Sequence, residues 1–357
     1  MSVQSEIDRI ITAVGNAYSK VSEKGGTLPA SQTVANLATA IGSIPAGGGG
    51  GGGSSSDPLD PVDVYNTTRP SDWLSMPTPA DNEMYLLFHI PDGVSSLLAF
   101  TVTCTGNYTV ALGSVSGSSF VASSSVDIAS GSKYETELFA DNYGNLTSDG
   151  HKQVMVKVSG TDILTWAPST HSKKTSPANF AGWNIVEISC NLPSGTSVAC
   201  GSNTANMALR KLRYFAWYGK NAVTNMSFMF NNCYSLTAIP QMDTLAVTDM
   251  GGMFQNCYSL TAVPQLDTSA VTNMRNMFSS CYSLTSIALD NTVTGWAGYA
   301  ISLSNCSLGH AAIVAFFNSL PTITSAKAIT LTGNPGVSEL TDAEKAIATG
   351  KGWTLTL

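Results

Sequence analysis

The chain has 357 residues, of which 43% are hydrophobic and only 11% are charged, with a formal net charge of −7. One hydrophobic core rarely serves so long a chain, so we expect two or three domains. The negative charge argues against nucleic-acid binding, which requires a basic surface. No run of about 18 apolar residues predicts a transmembrane helix.

Residues 1–45 are predicted to form a short helical hairpin. Its first helix carries apolar residues at alternating spacings of four and three, which is typical of a coiled-coil seam. The predicted oligomerisation residues are Val3, Ile7, Ile10, Val14 and Val21. A homotrimer or a two-helix cap on another chain would each bury this stripe. Glu6, Asp8 and Arg9 stand where a signal peptide would be apolar, so no export signal is predicted.

Residues 46–57 are predicted to be a flexible linker because seven consecutive glycines are followed by serines. Residues 58–173 then show short segments of period two, separated by Gly, Asn, Asp and Ser. Leu98–Cys104 and Tyr108–Leu112 are two of these segments. The pattern predicts a central antiparallel β-sandwich. Trp73 and Trp166 are predicted to be core residues, with a sugar site as the alternative.

Residues 174–357 contain an internal repeat. Val-Thr-Asn/Asp-Met begins at Val223, Val247 and Val271, and each copy is followed by Met-Phe and then by Cys-Tyr-Ser-Leu-Thr. The period of 24 residues lies within the range of leucine-rich repeats. We therefore predict a C-terminal leucine-rich-repeat solenoid whose units stack and bury ladders of Val, Met, Phe, Cys and Leu. The predicted fold class is multidomain, with this α+β solenoid as the last domain.

The end of the chain follows a second version of the pattern. Strand-like segments at 301–308 and 329–337 are each followed by a helical stretch, over 311–320 and 341–348. The second helix is predicted to begin with a capping box formed by Thr341 and Glu344. A last strand is predicted over Trp353–Leu357, and an entry strand over Leu212–Trp217.

Polar and aromatic side chains also recur with the period of the repeat. The candidate receptor-binding residues are Tyr234, Tyr258 and Tyr282, Thr237, Thr261 and Thr285, and Gln241 and Gln265. Tyrosines stacked about 5 Å apart would form a platform for sugar rings or for a partner's side chains. The alternative is that the tyrosines only stack on one another and stabilise the repeats.

The residues that could support catalysis or metal binding are sparse. Cys233, Cys257 and Cys281 recur without a histidine or carboxylate beside them, so we predict buried, reduced thiols and no metal site. The four histidines do not have metal-ligand spacing, and no nucleophile elbow or phosphate loop is present. We therefore expect no enzyme activity and no cofactor. Two carboxylates of a glycosidase could nevertheless be present in such a sequence.

Two resemblances extend this interpretation. Residues 221–290, with the pattern V-T-N-M-x-x-M-F-x-x-C-x-S-L-T, resemble the BspA-like leucine-rich repeats of bacterial surface proteins. Residues 11–45, which include Ile11-Thr-Ala-Val-Gly and Asn36-Leu-Ala-Thr-Ala, resemble the start of tail proteins from phages of gut bacteria. The first resemblance implies adhesion. The second implies attachment of residues 1–45 to a virion.

Together these features predict a phage virion adhesin, either a tail fibre or a tail-tip protein. It would be made in the bacterial cytoplasm, reside on the virion tail and act at the host cell surface. Its expected partners are tail or baseplate proteins at the N-terminus and a glycan or protein receptor at the repeats. The alternatives are a structural head-fibre or decoration protein, an exported bacterial surface adhesin and a tail-associated glycan hydrolase.

Overall fold

A computed structural model of the protein describes residues 69–144, 146–148, 150–169, 184–202, 208–239, 242–289 and 300–357. These ranges belong to one compact unit, Ser54–Leu357. The predicted hairpin over 1–45, its five oligomerisation residues and the linker over 46–57 lie outside the described residues. Their structure therefore stays a prediction.

The described residues are mostly β-structure. The strands are β1 (Glu83–Pro91), β2 (Ser95–Ser116), β3 (Ser119–Ala129), β4 (Lys133–Phe139), β5 (His151–Pro168), β6 (Ile185–Asn191), β7 (Ser197–Val198), β8 (Tyr214–Trp217), β9 (Ala262–Leu266), β10 (Ser286–Leu289), β11 (Ile301–Ser302), β12 (Lys327–Thr330) and β13 (Trp353–Thr356). The α-helices of the described part are α1 (His310–Ser319) and α2 (Asp342–Thr349). Short 3-10 helices span Ala140–Asn142 and Pro335–Glu339.

Strands β1 to β8 form one mixed sheet. Its order is β3-β2-β5-β1-β6-β8, with β4 also beside β2 and β7 also beside β5. The central pair, β1 and β5, is antiparallel, whereas β6 pairs with β8 and β5 with β7 in parallel. Because β8 also bridges to Ala238 of the first repeat, the sheet runs on into the repeat segment. The main hydrophobic core is likewise continuous from the sheet to Trp353.

The predicted antiparallel β-sandwich is wrong. The two segments expected as separate strands, Leu98–Cys104 and Tyr108–Leu112, are parts of the 22-residue strand β2. Gly106 has a φ of +73°, and the pairing of β2 with β5 shifts register between Thr103 and Thr105 and again between Thr105 and Tyr108. Glycine and asparagine at a bulge resemble the residues of a turn, so the local pattern does not distinguish the two.

The 24-residue units do stack on one another. Parallel bridges join Asn225 to Asp249 and Asp249 to Asn273. The phenylalanine rings of successive units are also stacked, with ring centroids 5.6 Å apart for Phe230 and Phe254 and 5.8 Å apart for Phe254 and Phe278. The prediction that equivalent residues form buried ladders is therefore confirmed.

The predicted leucine-rich-repeat solenoid is nevertheless wrong as a fold class. Within the described part of the 24-residue units the backbone forms consecutive turns and two short parallel strands, β9 and β10, and the two α-helices both lie after residue 309. A left-handed backbone recurs at Asn232, Asn256 and Ser280, with φ near +60° (63°, 62° and 61°). Such residues end a right-handed turn, so each unit cannot continue as a helix. The architecture is a large mixed sheet followed by stacked turns.

The C-terminal residues form a three-stranded parallel sheet, β11-β12-β13. Helix α2 contacts β13 and α1, and α1 also contacts β10 and the 3-10 helix Pro335–Glu339. The capping box predicted for the second helix is confirmed, because Thr341 Oγ1 accepts from the Glu344 backbone N–H while the Glu344 carboxylate accepts from that of Thr341. The predicted last strand is confirmed as β13. Neither helix of the described part has the length and apolarity needed to cross a bilayer.

The opposite face of the sheet carries a second, smaller hydrophobic cluster, which includes Trp73. The indole of Trp73 is 6% exposed and lies between two guanidinium groups, 5.6 Å from that of Arg69 and 5.4 Å from that of Arg213. Arg69 Nε donates to the buried Glu187 carboxylate at 2.8 Å. Trp166 is buried on the main core. The prediction that both tryptophans belong to the core is confirmed.

All seven cysteines are free and buried, as predicted. Those of the repeats donate to backbone carbonyls of neighbouring units, for example Cys257 Sγ to the Phe230 oxygen at 3.1 Å. Burial raises the pKa of the Cys257 and Cys281 thiols well above the ordinary range. Since the thiolate is the reactive form, these thiols are expected to be inert in the native protein.

We therefore expect an aromatic disulfide reagent to label none of the seven cysteines in the native chain at pH 7 within the time that labels all seven in denaturant. The measurement is the absorbance of the released thiolate with and without urea. Rapid native labelling of a repeat cysteine would show that the stack opens far more often than its packing implies.

Candidate binding surface

The three recurring tyrosines form a row along the stacked units, which we call the tyrosine ladder (Tyr234, Tyr258, Tyr282). The ring centroids of Tyr234 and Tyr258 are 4.6 Å apart with nearly parallel planes, at 4°. Those of Tyr258 and Tyr282 are 4.9 Å apart at 23°. The predicted spacing of about 5 Å is confirmed, and the rings lie at the surface, with Tyr282 51% exposed.

Stacking decides which parts of these rings a ligand can reach. Each face of Tyr258 is covered by a neighbouring tyrosine, and the Arg210 guanidinium lies 5.2 Å from the ring centroid of Tyr234. After Tyr282 the next side chain along the stack is the small Ser307, whose hydroxyl donates to the Tyr282 carbonyl. A ligand therefore meets ring edges, a row of phenol hydroxyls and the outer side of Tyr282.

The hydroxyl of the central tyrosine remains a hydrogen-bond donor at neutral pH. Partial burial raises the pKa of Tyr258, and the neighbouring phenols of Tyr234 and Tyr282 raise it further, whereas Arg210 opposes the shift. A protonated phenol can donate one hydrogen bond and accept others. The ladder thus offers uncharged polar groups beside apolar ring edges, which suits a hydroxyl-rich or amide-rich partner.

The predicted threonine column lies along the same units. The hydroxyls of Thr237, Thr261 and Thr285 each donate to a carbonyl of the preceding unit, at 3.1, 3.4 and 3.2 Å. Their protons are therefore used within the stack, and only oxygen lone pairs remain for a ligand. Thr261 and Thr285 are exposed, whereas Thr237 is half-buried. Gln241 and the side chain of Gln265 lie outside the described residues.

Sequence reasoning missed Arg210 and a second threonine column. Arg210 lies one period of 24 residues before Tyr234, so counting the repeat backwards would have placed it at the end of the ladder. Thr248 and Thr272 donate to the carbonyls of Thr224 and Thr248 at 3.0 and 3.1 Å. The sequence signal for this column is the Val-Thr dipeptide that recurs in each unit.

The described residues hold no candidate metal centre. No three histidine, cysteine, aspartate or glutamate side chains of the described ranges are grouped so that they could hold an ion. The tyrosine ladder and the two threonine columns are the surface features that recur with the period of the repeats. This arrangement is typical of a repetitive recognition surface.

The β-rich architecture and the repeats are compatible with a BspA-like surface protein. Residues 205–297 match the family described as "Mycoplasma protein of unknown function, DUF285", a BspA-like repeat family. No curated protein matches the chain, and no solved structure matches it. The resemblance of residues 221–290 to BspA-like repeats is thereby confirmed for that segment.

Proposed function

We propose that the protein is a phage virion adhesin, a tail fibre or tail-tip protein, that binds a receptor on the bacterial surface through the tyrosine ladder. Residues 1–45 attach it to tail or baseplate proteins and assemble it as a homotrimer. The protein has no catalytic role and needs no cofactor. The receptor is a surface glycan or protein.

The observation that carries this proposal is the exposed ladder on a rigid support. The rings of Tyr234, Tyr258 and Tyr282 stack on one another, and backbone hydrogen bonds join the units that carry them. The same units also share the buried Phe230–Phe254–Phe278 stack. Rigid tyrosines lose little conformational entropy on binding and combine apolar area with a hydroxyl, so they are favoured at recognition surfaces. In a trimer, three copies of the ladder would each make weak contacts, and these contacts together would give firm attachment.

The first experiment uses the full-length chain. A fragment that starts at residue 174 would contain β6 and β8 without the sheet strands that they need. The chain is labelled on an amine with a fluorophore and applied to a panel of gut-associated bacteria in flow cytometry. We expect binding to a narrow set of strains. A folded chain that binds none of a broad panel would favour the head-fibre or decoration alternative.

Tyr258→Ala is expected to weaken cell binding about tenfold or more, because it removes the central ring of the proposed contact surface. The chain should stay folded, since Tyr258 is half-exposed. Titration of the labelled variant on a bound strain measures the change. Leu245→Ala is the matched control, because Leu245 is 65% exposed on the repeats but lies outside the ladder. Equal binding by both variants would remove the ladder from the proposal.

A further inference from the structure

A second surface feature lies on the sheet, far along the chain from the tyrosine ladder. Strand β2 pairs with β4 through its first half and with β3 through its second half, for instance Phe100 with Tyr134 and Val110 with Val126. Gly106, with its positive φ, lies between the two halves. A cleft of about 450 Å³ lies where β2, β3 and β4 meet. Its volume is within the range of sites that bind small molecules.

The floor of the cleft is apolar. Leu112 and Ile128 are half-buried and pack against the main core, Tyr134 is buried, and Val126 is 43% exposed. Nearly every residue of β3 is exposed in the single chain. Covering Val126 and Ile128 would remove apolar surface from water and so favour binding of a ligand with an apolar face.

The rim of the cleft is polar but carries no net charge. The hydroxyl-bearing residues Ser124 and Thr136 line it, together with Lys133 and Glu135. Lys133 Nζ and the Glu135 carboxylate form an ion pair at 2.7 Å, so the two charges compensate each other. Side chains alternate between the two faces of a strand, so Lys133 and Glu135 point away from the face that carries Tyr134 and Thr136. Their charges therefore do not face the cleft, which favours an uncharged ligand. The lining therefore complements a molecule with an apolar face and several hydroxyls.

We infer that this cleft binds one uncharged pyranose unit of a glycan. The C–H face of the sugar would lie on Val126 and Ile128, and its hydroxyls would hydrogen bond to the rim residues. The inference goes beyond the proposed function, because it places a second binding site on the sheet that does not depend on the tyrosine ladder. A glycan held at both places would gain from multivalency.

The test is methyl NMR of the full-length chain during titration with methyl pyranosides of glucose, galactose, mannose and N-acetylglucosamine. We expect saturable shifts of the Val126 and Ile128 methyl signals with at least one of these sugars. Val126→Lys should weaken binding at least tenfold. Val121→Lys is the matched control, because Val121 is 53% exposed on the same strand but does not line the cleft. Thr136→Val, which removes a rim hydroxyl at constant shape, should weaken binding several-fold.

Three results would overturn the inference. Absence of shifts with all four sugars at their highest soluble concentrations is one. Shifts that appear equally with cyclohexanol would show an apolar pocket with no preference for sugars. Shifts that depend on the concentration of the protein alone would show that a second copy covers β3. A chain with Tyr258→Ala should keep the sugar-induced shifts, so failure of the ladder proposal is separable from failure of this one.

Discussion

Replacing Phe254 with alanine is expected to lower the free energy of unfolding by about 3–5 kcal/mol, as in other truncations of buried aromatic residues. Phe254 is fully buried, and its ring stacks on Phe230 on one side and on Phe278 on the other. The substitution removes both ring contacts and leaves a cavity between units. In a stack that depends on nearest-neighbour contacts, both neighbours of the central unit are weakened.

Urea denaturation followed by tryptophan fluorescence measures this change, provided that the m-value stays constant. Phe228→Ala is the matched control because it deletes the same ring in the same repeats, but from a side chain that is 39% exposed. We expect the control to cost less than about 1 kcal/mol. Equal losses in the two variants would contradict the buried phenylalanine stack.

The second large effect is a pH dependence that arises at Glu187. Burial raises the pKa of the Glu187 carboxyl to about 7 from its ordinary value of 4.5, and the Arg69 guanidinium only partly opposes this shift. The folded chain thus binds the proton more tightly than the unfolded chain. Stability from this group is complete below about pH 4.5 and is lost as pH rises towards 7. At 1.36 kcal/mol per pKa unit the loss is on the order of 3 kcal/mol.

Glu187→Gln removes this titration while keeping the shape of the side chain. We expect the unfolding free energy of the wild type, relative to that of the variant, to fall by about 3 kcal/mol between pH 4.5 and 7. If the difference in unfolding free energy rose with pH instead, the ion pair with Arg69 would outweigh burial in setting the pKa of Glu187.

The stacking of the units could be predicted from the 24-residue recurrence in the sequence. Identical residues at a fixed spacing bury their side chains only by stacking, so the phenylalanine and tyrosine rows follow from the recurrence itself. The capping box at Thr341 is equally local, since its two hydrogen bonds join residues three apart. The predicted leucine-rich-repeat class was wrong because a period of 24 residues does not determine the conformation of the backbone within each unit. Asn232 and Asn256 adopt left-handed conformations that asparagine tolerates but does not require.

The sheet was less predictable because its pairing is not local. Gly106 and Asn107 have the composition of a hairpin turn but lie within β2. Strand β8 pairs with β6 in parallel, a contact that alternation within either strand cannot predict. The cleft between β3 and β4 exists because both strands pair with β2, so no motif in the sequence indicates it. Arg210 lies one 24-residue period before Tyr234, at the position that tyrosine occupies in the later units. Because this position holds an arginine, the recurrence of tyrosine did not indicate it.

The central claim is that the tyrosine ladder attaches a virion to its host. The most direct measurement is competition, in which soluble full-length chain is added to phage particles that carry this protein, and adsorption to a strain bound in cytometry is counted. The account predicts that wild-type chain and Leu245→Ala block adsorption, whereas Tyr258→Ala blocks it only at about tenfold or higher concentration. Adsorption that continues unchanged under saturating wild-type chain would contradict the account.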